Sequence, residues 1–445
     1  MHRSSPVATA RRNTPTQTSH EPVQNTGMQS VCSDQTATTE RAPKRTTAAL
    51  GNHHRSRKGC HCITRADTGI PSSRTKGSRI ALVRLNYALS ATLLLLVLGC
   101  TDVADDRAER DERVGHFHDP QVRLDIDDGL AAIRSATGDR IVLWSSAPGW
   151  SATLRTADPR ALELELRNIV PGSALLASTE GGSPLRVALA DEPLPTQRHF
   201  VVAAHQGDTR LTLVPPGAHD ATPFRFAVLS DIQSAVTRIQ SMFERLNAEH
   251  EVSFVLSVGD LTDRGKREQL DRFETELREL SAPFYATLGN HELFGGTPPF
   301  QEVFGRASFH FHFRDTAFSL VDSGSATLAP KVEAWLDQWL EEDRSRTHVF
   351  ATHIPPIDPI GTRGGAFTSK LEARQLIANL AEGKVDLAVY GHIHSYYEFT
   401  TAGVRSYISG GGGGRPELFD GIERHYLLVD VGTTGITSVR KVEVD

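Results

Sequence analysis

The chain has 445 residues, 39% apolar and 23% charged, with a formal net charge of -6. That is length enough for two domains or three small ones, with the composition of an ordinary globular protein. The charge is uneven: residues 1–80 carry 13 Lys/Arg against 4 Asp/Glu, leaving 35 basic and 50 acidic residues in the remainder, and so acidic a folded part excludes nucleic acid as a bulk partner.

Residues 1–82 open the chain. As far as residue 78 they are poor in large apolar side chains and rich in Thr, Ser, Arg and Gln, too little apolar surface to form a core. They read either as a disordered basic tail or as an extension upstream of the true translation start. All four cysteines, Cys32, Cys60, Cys62 and Cys100, lie in the first 100 residues. Cys60-His61-Cys62 lacks a second ligand pair at a useful spacing, which argues against zinc there.

Residues 83–100 have the parts of an export signal: Arg84, an apolar run from Tyr87 to Leu98, then Gly99 and Cys100. The run is shorter than the roughly 20 residues a bilayer span needs. Val97-Leu98-Gly99-Cys100 resembles a bacterial lipobox, whose cysteine is acylated and becomes the mature N-terminus. The expectation is therefore an exported protein, anchored through Cys100 on the periplasmic side of the cell envelope. Residues 101–120 are charged and aperiodic and read as a tether, with His116 and His118 solvated rather than ligating.

Residues 121–220 contain about seven short apolar or alternating runs separated by turn signals such as Thr137-Gly138-Asp139, Pro171-Gly172 and Gly181-Gly182. This pattern predicts a small β-sandwich-like domain. From 222 to 445 apolar strands alternate with amphipathic helices, expected over 235–250, 270–280, 331–342 and 371–380, the last with Leu371, Leu376, Ile377 and Leu380 on its apolar face. Such alternation predicts an α/β domain with buried sheets.

Five apolar strands of this second domain end in polar ligand types: Asp231, Asp260, Asn290-His291, His353, and His392 with His394. Sites in open α/β sheets form beyond the carboxyl ends of the strands, so these groups are expected to converge. Two carboxylates, an amide oxygen and three imidazoles suit a pair of divalent first-row cations, and one central aspartate can bridge them. In "SFHFHFRD", period two sets Phe309, Phe311 and Phe313 on one sheet face and His310 and His312 on the other, where exposed histidines are expected. The five glycines Gly410–Gly414 followed by Arg415 suit a substrate-side loop or a plain turn.

The series Asp231-x-Gln233, Gly259-Asp260-x-x-Asp263-Arg264, Gly289-Asn290-His291-Glu292, His353 and Gly391-His392-x-His394 resembles the calcineurin-like metallophosphoesterase superfamily over about 225–425. The resemblance implies a four-layer αββα sandwich and a metal-dependent hydrolase acting on small phosphorylated substrates. It places Asp231, Gln233 and His394 at a first metal, Asp260 as the bridge, and Asn290, His353 and His392 at a second. It also makes His291 the catalytic residue facing the phosphate, with Asp263 and Arg264 outside the ligands. Gln233 departs from the commoner Asp-x-His. A neutral amide oxygen weakens the first position and favours manganese among the candidates manganese, iron, zinc and magnesium. A surface binding protein with a degenerate site is the alternative.

Overall fold

The computed structural model describes residues 103–218, 220, 222–294, 299–361 and 364–444. Residues 1–102, and with them the cysteines and Cys100 in particular, lie outside the described residues.

The segment expected as a tether is ordered. Ala104–Asp111 form helix α1, with Arg107 and Asp111 fully buried. Arg107 clamps Asp322 through Nε–Oδ2 at 2.5 Å and Nη2–Oδ1 at 3.1 Å. Asp111 accepts from the backbone N–H groups of Ala307 and Ser308 at 2.9 and 2.8 Å. Charged residues 196 to 215 positions from their partners in sequence look solvated, and only tertiary structure shows that two of them are anchors.

The β-rich region that follows has ten strands: β1 (His116–His118), β2 (Val122–Ile126), β3 (Ala131–Ala136), β4 (Arg140–Ser145), β5 (Trp150–Thr156), β6 (Arg160–Arg167), β7 (Ala174–Thr179), β8 (Val187–Leu194), β9 (Gln197–Ala204) and β10 (Gly207–Val214). They make two five-stranded sheets, ordered β1-β2-β5-β10-β7 and β3-β4-β6-β9-β8. Alternation buries Val122, Leu124 and Ile126 of one sheet and Leu162, Leu164 and Leu166 of the other in a common core.

The α/β part holds two further sheets. One is β13-β12-β11-β20-β21, from β11 (Phe224–Val228), β12 (Val252–Ser257), β13 (Phe284–Ala286), β20 (His425–Gly432) and β21 (Gly435–Glu443). The other is β14-β15-β16-β17-β19-β18, from β14 (Phe309–Phe313), β15 (Thr316–Val321), β16 (Thr347–Thr352), β17 (Leu387–Tyr390), β18 (Tyr396–Thr401) and β19 (Val404–Ser409). The ligand-bearing strands run parallel within each sheet, which places their carboxyl ends at one edge. Phe226 and Phe254 of the first sheet meet Phe311 and Phe318 of the second in a ring cluster with centroids 5.3 to 6.0 Å apart. Burying such rings stabilises each by roughly 1.5–3 kcal/mol.

Helices cover the outer faces. α2 (Gln240–Ala248) and α3 (Arg267–Glu276) bury Phe243, Leu246, Leu270 and Phe273 on the first sheet, where α4 (Phe300–Phe304) also packs. α5 (Pro330–Glu342) and α6 (Lys370–Glu382) bury Leu336, Leu340, Leu376 and Leu380 on the second. The result is the expected helix–sheet–sheet–helix sandwich preceded by a β-rich region. Leu371 differs from expectation: it is 76% exposed. At 100° per residue it points about 140° from Leu376, and Ala373 takes the buried place.

Asn168 joins the two regions. Its amide donates to the carbonyls of Ser145 and Phe284 and its oxygen accepts from Phe284 N–H at 2.7 Å. The side chain thereby covers β13, an edge strand whose backbone groups need partners.

Candidate metal centre

Asp231 lies just past β11, Asp260 just past β12, Asn290 and His291 past β13, His353 after β16, and His392 and His394 after β17. All lie at the same edge of the two sheets. Ligand atoms of Asp231, Asp260 and His394 fall within 4.8 Å of one another, and so do those of Asp260, His353 and His392. Asp260 belongs to both groups. Asn290 adds its amide oxygen 3.0 Å from His353 Nε2. Convergence of all these side chains gives no support to a degenerate site.

Backbone strain accompanies this placement. Asp231, Gln233, Asp260 and His392 all adopt positive φ, between 51° and 68°. Non-glycine residues pay for that conformation, and it gathers at functional sites. Two glycines make the close approach possible. A Cβ on Gly259 would meet Gly289 N at 2.5 Å, and one on Gly391 would meet Ser230 Oγ at 2.3 Å.

Second partners orient the rings. His353 Nδ1–H donates to the Val258 carbonyl at 2.8 Å, and His394 Nδ1–H donates to the Arg415 carbonyl at 2.6 Å. Each ring therefore turns an unprotonated Nε2 inward. His353 Nε2 faces Asp260 Oδ1 at 3.3 Å and the Asn290 oxygen at 3.0 Å; His394 Nε2 faces Asp231 Oδ1 at 3.3 Å. Beside His394 the Gln233 amide N–H lies against Nε2, but between His353 Nε2, Asp260 Oδ1 and the Asn290 oxygen lone pairs converge, an arrangement that repels itself unless a cation or an extra proton sits there. The donor set thus fits divalent cations.

The charges respond accordingly. Burial pushes Asp231 up, but the His394 hydrogen bond and the charges of His353 and His394 outweigh it and hold the carboxyl well below the usual range. Burial likewise raises Asp260, and His353 overrides it to keep the carboxylate ionised. For His353 burial favours the neutral ring, yet Asp260 beside it lifts the value to about 9. A proton on His353 takes the cation's place.

Glu292 is a participant that sequence reasoning quoted without a role. It is fully buried and accepts from Asp260 N, Gly289 N and Thr262 N at 2.9 to 3.0 Å. It cross-braces the loops after β12 and β13. Burial and the neighbouring Asp260 charge push it up to about 8. Its position beside Asn290 and His291 was the available signal.

His291 Nδ1–H donates to the Asp263 carbonyl at 2.9 Å, leaving Nε2 turned toward Asp260 Oδ2 at 3.8 Å. Asp263 thus reaches the site through its backbone. The side chains of Asp263 and Arg264 are exposed and pair with each other at 3.5 Å. Arg415 also contributes its carbonyl, its own side chain being exposed. Gln233 Nε2 lies 2.9 Å from both Asp260 Oδ2 and His394 Nε2. Rotating the amide by 180° exchanges Nε2 for Oε1 and presents an oxygen at the same place. A cavity of about 940 Å³ opens beside Asn290, bordered by Phe294, Thr327, Glu333 and Glu372.

The fold is a helix–sheet–sheet–helix α/β domain with a cluster of candidate metal ligands at one edge of its sheets, preceded by the β-rich region. Residues 224–396 match the family model described as Calcineurin-like phosphoesterase, a span that contains all eight residues from Asp231 to His394. Among solved structures, the chain is similar to a purple acid phosphatase from yellow lupin (Lupinus luteus) seeds, with 14% identity and a TM-score of 0.43 over 67% of this chain and 72% of that one. It is also similar to a dimetal phosphatase from Danio rerio, with 14% identity and a TM-score of 0.40 over 50% and 99%. GAP50, the inner-membrane-complex anchor of Plasmodium, shows 16% identity and a TM-score of 0.37 over 50% and 90%. These are distant likenesses. No curated protein matches the chain.

Proposed function

We propose that the protein is a metal-dependent hydrolase that cleaves phosphoester bonds, mono- or diester, in small phosphorylated substrates. The observation that carries this reading is that two ligand groups share Asp260. Asp231, His394 and the Gln233 amide oxygen would hold one cation, and Asn290, His353 and His392 the other, with Asp260 between them. Two divalent cations in such a site supply Lewis acidity to the phosphoryl group and activate water for in-line attack. His291, fixed through its Nδ1–H, presents Nε2 where it can hold a proton for the leaving oxygen. Glu292 keeps the Asp260 and Asn290 loops in register, and the side chains of Leu293 and Phe294 flank the adjoining cavity.

Manganese is the favoured cation because Gln233 offers a hard, neutral oxygen where imidazole would favour zinc. Nucleoside diphosphate compounds are among the small phosphorylated substrates to try first. The protein is further proposed to be exported and anchored at the cell envelope through acylated Cys100. The test joins metal analysis to hydrolysis of bis-p-nitrophenyl phosphate with added manganese. Turnover that depends on manganese and disappears in Asp260→Asn is expected. Protein that binds no metal and stays inert would refute the reading. Palmitate labelling, lost in Cys100→Ala, tests the anchor separately.

A further inference from the structure

Away from this centre, strand β14 and the end of α5 bring together a second group of metal-ligand type: His310, His312 and Asp343. Both histidines lie on the outer face of the sheet, because Phe309, Phe311 and Phe313 take the inner one. Each Nε2 lies 2.8 Å from Asp343 Oδ2, and the two Nε2 atoms are 3.4 Å apart. Ligands about 2.0 Å from a tetrahedral cation are separated by roughly 3.3 Å. The two nitrogens already have that spacing, and the oxygen needs to move by about half an ångström.

The site is prearranged rather than an accidental surface cluster. Asp343 is 3% exposed and the His310 side chain 10%. The Trp339 ring stacks on His310 at 5.3 Å and 16°. His310 Nδ1 lies 3.0 Å from Ser319 Oγ, which lies 2.9 Å from His348 Nε2. The hydroxyl can accept from Nδ1–H while donating to His348, or the reverse. Either tautomer of His310 is therefore supported, including the one with a free Nε2 lone pair, as metal-binding histidines require. Asp343 caps the carboxyl end of α5, where a carboxylate is disfavoured by the helix dipole and a cation welcome. Arg346 Nε binds Asp343 Oδ1 at 3.0 Å, an oxygen His312 Nε2 also approaches at 2.9 Å, while Oδ2 faces both histidines. His312, 45% exposed, stands at the entrance, beside a cavity of about 530 Å³ that also meets Arg306, Trp335 and Glu342.

This cluster is separate from the first centre. His348 begins β16 and His353 follows its end, so the two sites lie at opposite ends of the strand, about 16 Å apart at 3.3 Å per residue.

We infer that His310 Nε2, His312 Nε2 and Asp343 Oδ2 form a second, independent binding site for a divalent transition-metal cation of the zinc class, with one coordination position open to the cavity. Its ligands come from an edge strand and a helix end, so the ion would pin α5 to β14.

The test is zinc binding by untagged full-length protein at equilibrium, measured by dialysis and elemental analysis, with far-UV circular dichroism to confirm folding. His312→Gln, at a half-exposed position, is expected to bind one zinc fewer per chain than wild type, or to bind it at least tenfold more weakly. His310→Gln gives the same loss and serves if His312→Gln misfolds. Asp260→Asn keeps this ion while disturbing the first centre, so failure of one site is distinguishable from failure of the other. Folded His312→Gln and His310→Gln that bind as much zinc as wild type overturn the inference. So does loss of the ion on His116→Gln with retention in His312→Gln, which would place it instead beside His116, His118 and Asp125 of the β-rich region.

Discussion

The sequence His-apolar-His occurs three times, in strands β1 and β14 as His116-Phe117-His118 and His310-Phe311-His312 and in the loop after β17 as His392-Ile393-His394, and the backbone gives the β14 and loop copies opposite uses. In the strand, period two puts both rings on one carboxylate, Asp343. In the loop, His392 at φ 68° breaks the period. Ile393 is still buried, but the histidines part: His392 joins Asp260 and His353, and His394 joins Asp231 and Asp260. On the proposed reading, the same three-residue pattern would serve one cation when extended and two when kinked.

Breaking each copy checks this directly. His392→Ala and His394→Ala are each expected to remove a different cation. Each should lower phosphodiester hydrolysis by more than the roughly 10–100-fold that loss of an outer partner costs a metal site. The double variant should lose both ions, whereas His310 and His312 variants should each lose the same one. Elemental analysis of the four single variants and the loop double variant decides it. Equal metal loss in His394→Ala and the double variant would show that the loop does not split its ligands.

The next largest effect concerns buried charge. The candidate metal centre holds carboxylates that a cation would satisfy, and α1 supplies the contrasting case of a carboxylate that has its own, Arg107 on Asp322. Arg107→Met leaves Asp322 buried and uncompensated. A destabilisation of roughly 3–5 kcal/mol is expected, as for other broken buried pairs, read from denaturant melts. Arg107→Met with Asp322→Asn should recover part of it. A change below about 1 kcal/mol, the range of exposed pairs, would mean that water reaches Asp322.

Asp111 is a buried carboxylate held by backbone N–H groups and the Gln301 amide. Burial outweighs its backbone hydrogen bonds and pushes it up to about 7, from a usual value of 3.8. Between those values the folded chain holds a proton that the unfolded chain releases. Stability from this group is therefore complete below about pH 4 and lost as pH rises through 7. Asp111→Asn, which copies the protonated carboxyl, should flatten the fall in melting temperature between pH 5 and 8, a span worth a few kcal/mol at most. An unchanged slope would assign the pH dependence to other groups.

These contrasts also explain what the sequence could and could not reveal. Asp231, Asp260, His353, His392 and His394 were legible because each follows an apolar strand and parallel pairing brings such ends together. Alternation also showed which face His310 and His312 occupy. Their partner Asp343 was not legible, since it is 31 residues from His312 and only packing of α5 brings it there. Arg107 and Asp111 sit among so many exposed charges that no local pattern marks them. Over residues 121–220 the turn signals gave about seven strands where the fold has nine, because β3 is bulged and β7 is a short edge strand; β1, three residues long, lies in the segment read as a tether.

The smallest expected effect returns to the first centre. Gln233 stands at positive φ with its amide Nε2 within 2.9 Å of both Asp260 and His394, beside the proposed first cation position. Gln233→His keeps a donor atom there and changes its softness alone. The expected outcome is tighter binding at that position and a shift of preference from manganese toward zinc, with a change in turnover smaller than in any ligand deletion. Competition between the two cations, followed by elemental analysis, measures it. Gly414 sets the steric bound, since a Cβ there would already lie 3.1 Å from Gln233 Oε1 and 2.9 Å from His394 Cε1. An unaltered preference would mean that Gln233 braces Asp260 and His394 by hydrogen bonds without reaching the ion. Gln233→Glu separates the two roles, because a carboxylate can still ligate but cannot donate to Asp260. Retained binding in Gln233→Glu would then identify the oxygen as the working atom, and lost binding the N–H.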